Sequence, residues 1–299
     1  MPVTPLPTLR QLQFFMALVR RESFSKAAAD CYASQSTLSS AIKEMETLLD
    51  QQLVDRTTRT FALTPSGMEI AARAPAILAA FEDLAVAVST RGPLEGEFHL
   101  GVIPTIAPFL MPAMTTRLRR KFPKLKLLLR EEQTEQLVER LSAGLIDAAI
   151  LALPYDLPGI DTIEVGVDPF VFVCNKEHAL ASRKSIAPPA LDDQQLLLLE
   201  DGHCLRDHAI DACGLTDYKN GGTYSATSLL TLTQMTRAGI GATLLPQMAI
   251  KAGLAKTADL VTVPFSKPAP QRRIGVAWRR GSGRSDDAAA IGALASACL

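Results

Sequence analysis

The N-terminal part of the chain alternates short amphipathic stretches with tight polar connections. Apolar residues at helical spacing predict a helix over about 8–21, capped by Thr8, and an alanine-rich helix over 26–31. After a short connection, a third helix begins at Ser34, with its apolar residues on one face: Leu38, Ile42, Met45 and Leu49. Two helices joined by so short a turn are typical of a helix-turn-helix.

The exposed face of the third helix carries side chains suited to base edges and phosphates. These are Ser34, Gln35, Thr37, Ser40 and Lys43. The alternating run over 53–64 predicts a winged hairpin, in which Arg56 and Arg59 contact phosphates or the minor groove. The alternative is a three-helix bundle that does not touch DNA, with Ser34 and Gln35 merely capping an ordinary helix.

A long apolar helix is predicted from Pro65 to about Ser89, with Thr64 as its cap. Such a helix after a small bundle leaves its apolar stripe exposed. Burial against a second copy is the simplest remedy, so the sequence predicts a dimer. Residues 91–96 then form a linker.

From Glu97 the pattern changes to strands that alternate with helices. Strands are predicted over 98–103, 125–129, 148–152, 170–174, 196–199, 222–225, 242–245 and 273–278. This order predicts an α/β fold with a parallel sheet in two similar halves, separated by a cleft. Ligands of such sheets bind at the carboxyl ends of strands, so Thr105 and the segment 201–204 are expected to line one site.

Length and composition exclude few functions. The 299 residues suffice for two domains, and the formal net charge of zero gives no indication of a nucleic-acid partner, which local motifs must supply. The N-terminus lacks the pattern of a signal peptide, and no apolar run approaches a membrane span. We therefore expect a cytoplasmic protein, in which the five cysteines serve in packing, metal binding or redox chemistry.

Two of these cysteines, Cys204 and Cys213, bound one predicted helix, with Gly214 as its expected C-cap. Nine residues of helix span ~13 Å, and the two side chains point to opposite faces. A disulfide needs Cα atoms within roughly 7 Å, so the pair either never forms or requires the helix to melt. Both could be buried packing thiols, as expected for Cys31, Cys174 and Cys298. A zinc site with His203 and His208 is disfavoured by the same spacing, and no metal or other cofactor is predicted.

Several segments resemble the LysR-type transcriptional regulators. In the N-terminal part these are residues 24–28, 34–35, 38–39, 42, 45–46, 53–54, 56 and 63–67. In the remainder they are residues 103–105, 132–134, 199–207, 226–229 and 243–246 together with Cys213, and they are similar to the hydrogen-peroxide sensors of that family. Departures occur at Ser36, where the family usually has proline, and at Thr223, Ser225 and Leu230.

The resemblance implies a winged helix-turn-helix over 1–64, a dimerisation helix and hinge over 65–96, and a periplasmic-binding-protein-like regulatory domain over 97–299. Subdomain I of that domain would comprise about 97–166 and 271–299, and subdomain II about 167–270. The implied partners are promoter DNA, further copies in a homodimer or homotetramer, RNA polymerase, and glutaredoxin or thioredoxin as reductant.

The resemblance also implies site roles. Cys204 is attacked by hydrogen peroxide and Cys213 resolves the product, while Thr105, Thr134, His203, Arg206 and Asp207 surround the peroxide. The helix start and the neighbouring cations His203 and Arg206 are expected to lower the pKa of Cys204. We expect oxidation to draw the two cysteines together, destroy the helix and change the DNA footprint. The alternatives are a LysR-type regulator that binds a small metabolite in the cleft and a thiol peroxidase.

Overall fold

The computed structural model describes residues 6–55, 61–88, 92–155, 157–215 and 226–299. The chain divides into two compact units, with the boundary between residues 89 and 90. The N-terminal unit contains α1 (Leu9–Arg21), α2 (Phe24–Asp30), α3 (Gln35–Leu49), the short strands β1 (Val54–Asp55) and β2 (Ala62–Leu63), and α4 (Pro65–Ala87).

Local capping explains where the helices of the N-terminal unit begin. Thr8 and Gln11 form a reciprocal capping box at the start of α1, and Thr64 accepts a hydrogen bond from the Gly67 N–H at 3.0 Å. The buried carboxylate of Glu46 accepts from the Leu53 N–H at 2.9 Å, which fixes the entry into β1. β1 and β2 pair antiparallel as the predicted winged hairpin.

The long helix α4 leaves an apolar stripe exposed, as the sequence predicted. Ile77, Phe81 and Leu84 are 49%, 51% and 63% exposed, and Val88 follows at the same spacing. These four residues recur at intervals of three and four, which is the spacing of a helix–helix seam. We call them the α4 stripe.

The second unit contains a mixed sheet flanked by helices. Its elements are β3 (Gly96–Val102), α5 (Ala107–Lys121), β4 (Leu125–Glu131), α6 (Thr134–Ser142), β5 (Ala148–Leu153), β6 (Ile160–Cys174), β7 (Leu196–Leu197), α7 (Cys204–Cys213), α8 (Leu229–Arg237), β8 (Ala242–Pro246), α9 (Gln247–Lys251), α10 (Leu254–Thr257), β9 (Val261–Pro264), β10 (Gln271–Arg279) and α11 (Ser285–Ser296), with a 3₁₀ turn at Pro188–Leu191.

The sheet runs in the order β4-β3-β5-β10-β6-β8-β7, and β9 pairs with β6. β3 is parallel to β4 and β5, whereas β10 is antiparallel to both β5 and β6. The α/β prediction is confirmed, but the expectation of a parallel sheet is wrong for β6 and β10. These two strands pair antiparallel along residues 160–169 and 271–279 and continue the sheet from one half to the other.

Two separate apolar cores divide this unit. The core of lobe I lies between β3, β5 and β10 and the helices α5, α6 and α11. The core of lobe II lies between β6 and β8 and the helices α7 and α8. The predicted strand over 222–225 lies outside the described residues, although Leu199 and Ala226 form an isolated bridge beside it.

Candidate functional site

The helix α7 begins at Cys204 and ends at Cys213, so its two cysteines mark its two ends as predicted. His203 is the N-cap, and Gly214 is the C-cap in the left-handed conformation at φ +68°. Both thiols are free. Ten residues of α-helix keep their Cα atoms ~13 Å apart, which is too far for a disulfide.

The Cys204 side chain meets lobe I at the first residue of α6. Thr134 is buried, and its Oγ1 lies 2.7 Å from the Cys204 Sγ. A hydroxyl can donate to a thiolate or accept from a thiol, so this contact serves both protonation states. The structure therefore places one of the predicted hydroxyls directly on the sulfur.

Arg272 is a cation whose charge acts to lower the pKa of Cys204, and the sequence analysis did not identify it. Arg272 is fully buried on β10, and its Nε and Nη2 donate to Asp168 Oδ2 at 3.1 and 3.0 Å. These two residues are direct cross-strand partners on β10 and β6. Arg272 also donates to Thr105 Oγ1 at 2.8 Å and to the Thr105 carbonyl at 3.0 Å. Thr105 is thus held by Arg272 and the ion pair behind it.

The predicted lowering of the Cys204 pKa is wrong for the reduced protein. Burial raises the pKa of Cys204, and the negative charge of Asp207 adds to that shift. The Thr134 hydroxyl, the backbone N–H at the helix start and the charge of Arg272 oppose it without reversing it. A raised pKa keeps this thiol mainly protonated at neutral pH.

Three other residues predicted to surround the peroxide lie at different places around α7. His203 is buried, its Nε2 lies 3.2 Å from Gln133 Nε2, and burial lowers its pKa, so it is a neutral ring at pH 7. Arg206 pairs with Asp201 at 2.6 Å. Asp207 is exposed. His203 and Arg206 therefore do not supply the lowering of the Cys204 pKa that was expected of them.

Two further titratable groups, Tyr155 and His208, lie on or near α7. Tyr155 follows β5, and its pKa is raised by partial burial and then by the charges of Cys204, Glu135 and Asp207. His208 follows Cys204 by one helical turn, and its Nε2 lies 3.4 Å from the Pro154 carbonyl. Sequence reasoning considered His208 only as a metal ligand and missed Tyr155.

The partner thiol Cys213 belongs to the core of lobe II. Burial raises the pKa of Cys213 to about 12, and it raises the pKa of Cys174 to about 11. Both are unreactive toward oxidants while they stay buried. Among the described residues, no group of three or more His, Cys, Asp or Glu side chains could hold a metal ion.

On the N-terminal unit, the described residues predicted to contact DNA are all exposed on α3 or at its start: Ser34, Gln35, Thr37, Ser40 and Lys43. Ser34 also caps α3, since its Oγ accepts from the Thr37 N–H at 3.1 Å. Arg56, Arg59, Thr223 and Ser225 lie outside the described residues. Within the described ranges, no helix is both long and apolar enough to cross a bilayer.

Known proteins of one family are similar to this chain along almost its whole length. Residues 9–68 match the family described as bacterial regulatory helix-turn-helix protein, lysR family, and residues 91–297 match the LysR substrate binding domain. HTH-type transcriptional regulator EstR of Acinetobacter baylyi is 39% identical over 92% of this chain and 91% of its own length. A probable hydrogen peroxide-inducible genes activator of Streptomyces viridosporus is 39% identical over 93% of this chain and 90% of its own. A full-length OxyR variant from Pseudomonas aeruginosa superposes with a TM-score of 0.81 at 30% identity, covering 98% of this chain and 99% of that one.

Proposed function

The chain belongs to the LysR family of transcriptional regulators, and from that premise we propose that it regulates oxidative-stress genes by sensing hydrogen peroxide through Cys204 and Cys213. The observation that carries the proposal is the contact of 2.7 Å between Thr134 Oγ1 and Cys204 Sγ, beside the buried Arg272. It is further supported by the likeness to OxyR and to the Streptomyces activator along almost the whole chain.

The first step is attack of the Cys204 sulfur on one peroxide oxygen. A sulfur–oxygen bond forms, the oxygen–oxygen bond breaks, and the departing hydroxide takes a proton to become water. The Thr134 hydroxyl donates to the developing thiolate, and the Arg272 charge stabilises it. Arg272 donates to Thr105 and its charge acts on Cys204, and we propose that Thr105 binds peroxide together with His203, Arg206 and Asp207.

The second step is attack of Cys213 on the sulfenic acid, which forms the disulfide and releases water. This step requires α7 to unwind, because its ends are ~13 Å apart. Unwinding of α7 costs little free energy, for two reasons. A helix of ten residues is shorter than those that are stable alone, and only Leu205, Ala209 and Cys213 of α7 are buried. We infer that the repacked surface changes the subunit arrangement and hence the DNA footprint.

The N-terminal unit supplies the output. We propose that α3 binds promoter DNA through its exposed side chains and that the α4 stripe pairs with a second copy in a dimer, two of which form a tetramer. RNA polymerase as the downstream partner, glutaredoxin or thioredoxin as reductant, and a cytoplasmic location complete the proposal. We propose the domain division that the family resemblance implies. DNA binding is assigned to residues 1–64, the linker to 65–96 and sensing to 97–299.

A second candidate function is response to a small metabolite, bound in the cleft that the sequence predicts between the two halves of the regulatory domain. The observation that favours it is EstR, a relative whose name mentions no peroxide. The two functions differ in the role of the cysteines, because a metabolite sensor keeps its response when Cys204 and Cys213 are both replaced by Ser. A thiol peroxidase is not favoured, since the relatives are transcription regulators. We propose that peroxide is consumed stoichiometrically.

The test is DNA footprinting with reduced and peroxide-treated protein, alongside peptide mass spectrometry. The wild type should show a changed footprint and a Cys204–Cys213 crosslink. Cys204→Ser should abolish both, whereas the matched control Cys298→Ser, at the C-terminus, should behave as wild type. A peroxide response that persists in Cys204→Ser, or a crosslink between other cysteines, would falsify the proposal.

A further inference from the structure

His208 is a half-buried titratable side chain for which the proposed chemistry has no role so far. It lies four residues after Cys204 on α7, so the two side chains share one face of the helix with their Cβ atoms about 6 Å apart. Its Nε2 lies 3.4 Å from the Pro154 carbonyl, an acceptor, so that nitrogen is the one that carries the proton. The other nitrogen, Nδ1, is then a basic acceptor.

Nδ1 of His208 is buried and has no hydrogen-bond partner among the described residues. A buried imidazole nitrogen without a partner is costly, and such groups in native proteins call for an explanation. The charged groups that act on the ring are Asp207 and Asp211 on its own helix and Arg272 on β10. Arg272 acts on Cys204 as well, which places the ring and the sulfur in one electrostatic neighbourhood.

The reduced Cys204 thiol needs a base. Its pKa is raised by burial, so it is mainly protonated at neutral pH and must lose its proton before or during attack on peroxide. The pKa of His208 is lowered, chiefly by burial, so the imidazole is neutral at the same pH and can accept a proton. Thr134, whose hydroxyl contacts the sulfur, has no accessible ionisation at this pH.

We propose that His208 Nδ1 is the proton acceptor for Cys204 during oxidation, an inference that rests on the proposed peroxide-sensing function. The thiol proton moves to Nδ1 through one bridging water as sulfur attacks peroxide and the oxygen–oxygen bond breaks. Sulfur loses two electrons and the peroxide gains them. The same proton then passes from the imidazolium to the departing hydroxide, so that the products are a sulfenic acid, water and neutral His208.

Two substitutions distinguish the role of Nδ1 of His208 from that of Nε2. In His208→Gln, the side-chain amide reaches the position of Nε2 and can still donate to Pro154, but no acceptor replaces Nδ1. In His208→Asn, the amide oxygen lies near the position of Nδ1 and accepts a hydrogen bond, but it does not titrate. The matched control is His178→Gln, because His178 is also partly buried with a lowered pKa and packs on Phe172 in lobe II.

The measurement is the second-order rate constant for Cys204 oxidation by hydrogen peroxide in the reduced full-length protein from pH 5 to 9. We expect His208→Gln to be slower by about tenfold or more at neutral pH, within the range of general-base contributions. The rate constant of the wild type divided by that of His208→Gln should fall toward one as the pH drops, because protonation of the imidazole removes the proton acceptor. His208→Asn should recover part of the rate without that pH dependence, and His178→Gln should match wild type.

Any other outcome refutes either the role of His208 or the proposed function. Equal rates for wild type and His208→Gln, or a constant ratio at every pH, overturn the role of His208 while leaving peroxide sensing intact. If His208→Gln does not fold, the rate ratio of wild type to His208→Asn decides, and a ratio independent of pH overturns the role. Wild-type protein that is not oxidised at Cys204 refutes the proposed function itself.

Discussion

Replacing Gly214 by Ala should make the Cys204–Cys213 disulfide harder to reduce. Gly214 is the C-cap of α7 at φ +68°, and an added Cβ there meets no described atom within 4 Å. The substitution therefore introduces backbone strain in the left-handed region without a steric clash. This strain exists only while α7 is helical, which in our proposal is the reduced state alone.

The strain converts directly into a redox potential. A residue with a Cβ costs about 1 kcal/mol relative to glycine in the left-handed conformation. Destabilising the reduced form by that amount favours the disulfide roughly fivefold at a fixed glutathione ratio. For a two-electron couple this lowers the reduction potential by about 20 mV.

The assay is a glutathione or dithiothreitol redox titration in which the Cys204–Cys213 crosslink is quantified by mass spectrometry. The control is Gly253→Ala, since Gly253 has φ +88°, also meets no described atom within 4 Å and lies outside α7. Both variants should lower the melting temperature of the reduced protein, but only Gly214→Ala should shift the potential. An unchanged or more positive potential for Gly214→Ala would refute the unwinding of α7 on oxidation.

Three further predictions concern the thiol and the subunit interface. Thr134→Val removes the hydroxyl on the Cys204 sulfur and should slow peroxide oxidation at least tenfold in stopped-flow measurements, and an unchanged rate would exclude that contact from the chemistry. Since the charge of Asp207 raises the pKa of Cys204, Asp207→Asn should shift the pH profile of Cys204 alkylation to lower pH, with faster reaction at pH 7–8; a profile like wild type contradicts this. Phe81→Glu places a charge in the α4 stripe and should shift sedimentation toward smaller species, whereas an intact oligomer would show that the stripe is not an interface.

The parts of the structure that follow local rules could be predicted from the sequence. The cap at Thr8, the start of α3 at Ser34 and the bounds of α7 depend on residues within one or two turns. β5 (Ala148–Leu153) is a continuous apolar run, which the sequence pattern identifies as a buried strand. Prediction at this level therefore placed both cysteines correctly at the ends of their helix.

The parts that depend on distant contacts could not be predicted. In the first part of β6, residues 160–167, only Ile160 and Val165 are buried, so the sequence predicted only the continuous apolar run over 170–174. Arg272 lies one residue before the predicted strand, and its partner Asp168 is 104 residues away in sequence. The raised pKa of Cys204 arises from burial between two lobes, which no local pattern encodes.

The deep burial of Cys213 also sets an upper limit on the peroxide concentration that the protein can report. With its pKa raised to about 12, only about one Cys213 thiol in 100,000 is ionised at pH 7, so it cannot be oxidised first. In the proposed mechanism, once Cys204 is a sulfenic acid, unwinding of α7 competes with a second peroxide molecule, which would convert Cys204 irreversibly to the sulfinic acid. Unwinding has a fixed rate, whereas the second oxidation accelerates in proportion to peroxide. The rate constant for unwinding divided by the second-order rate constant for the second oxidation is a peroxide concentration. Above that concentration, Cys204 is overoxidised faster than the disulfide forms.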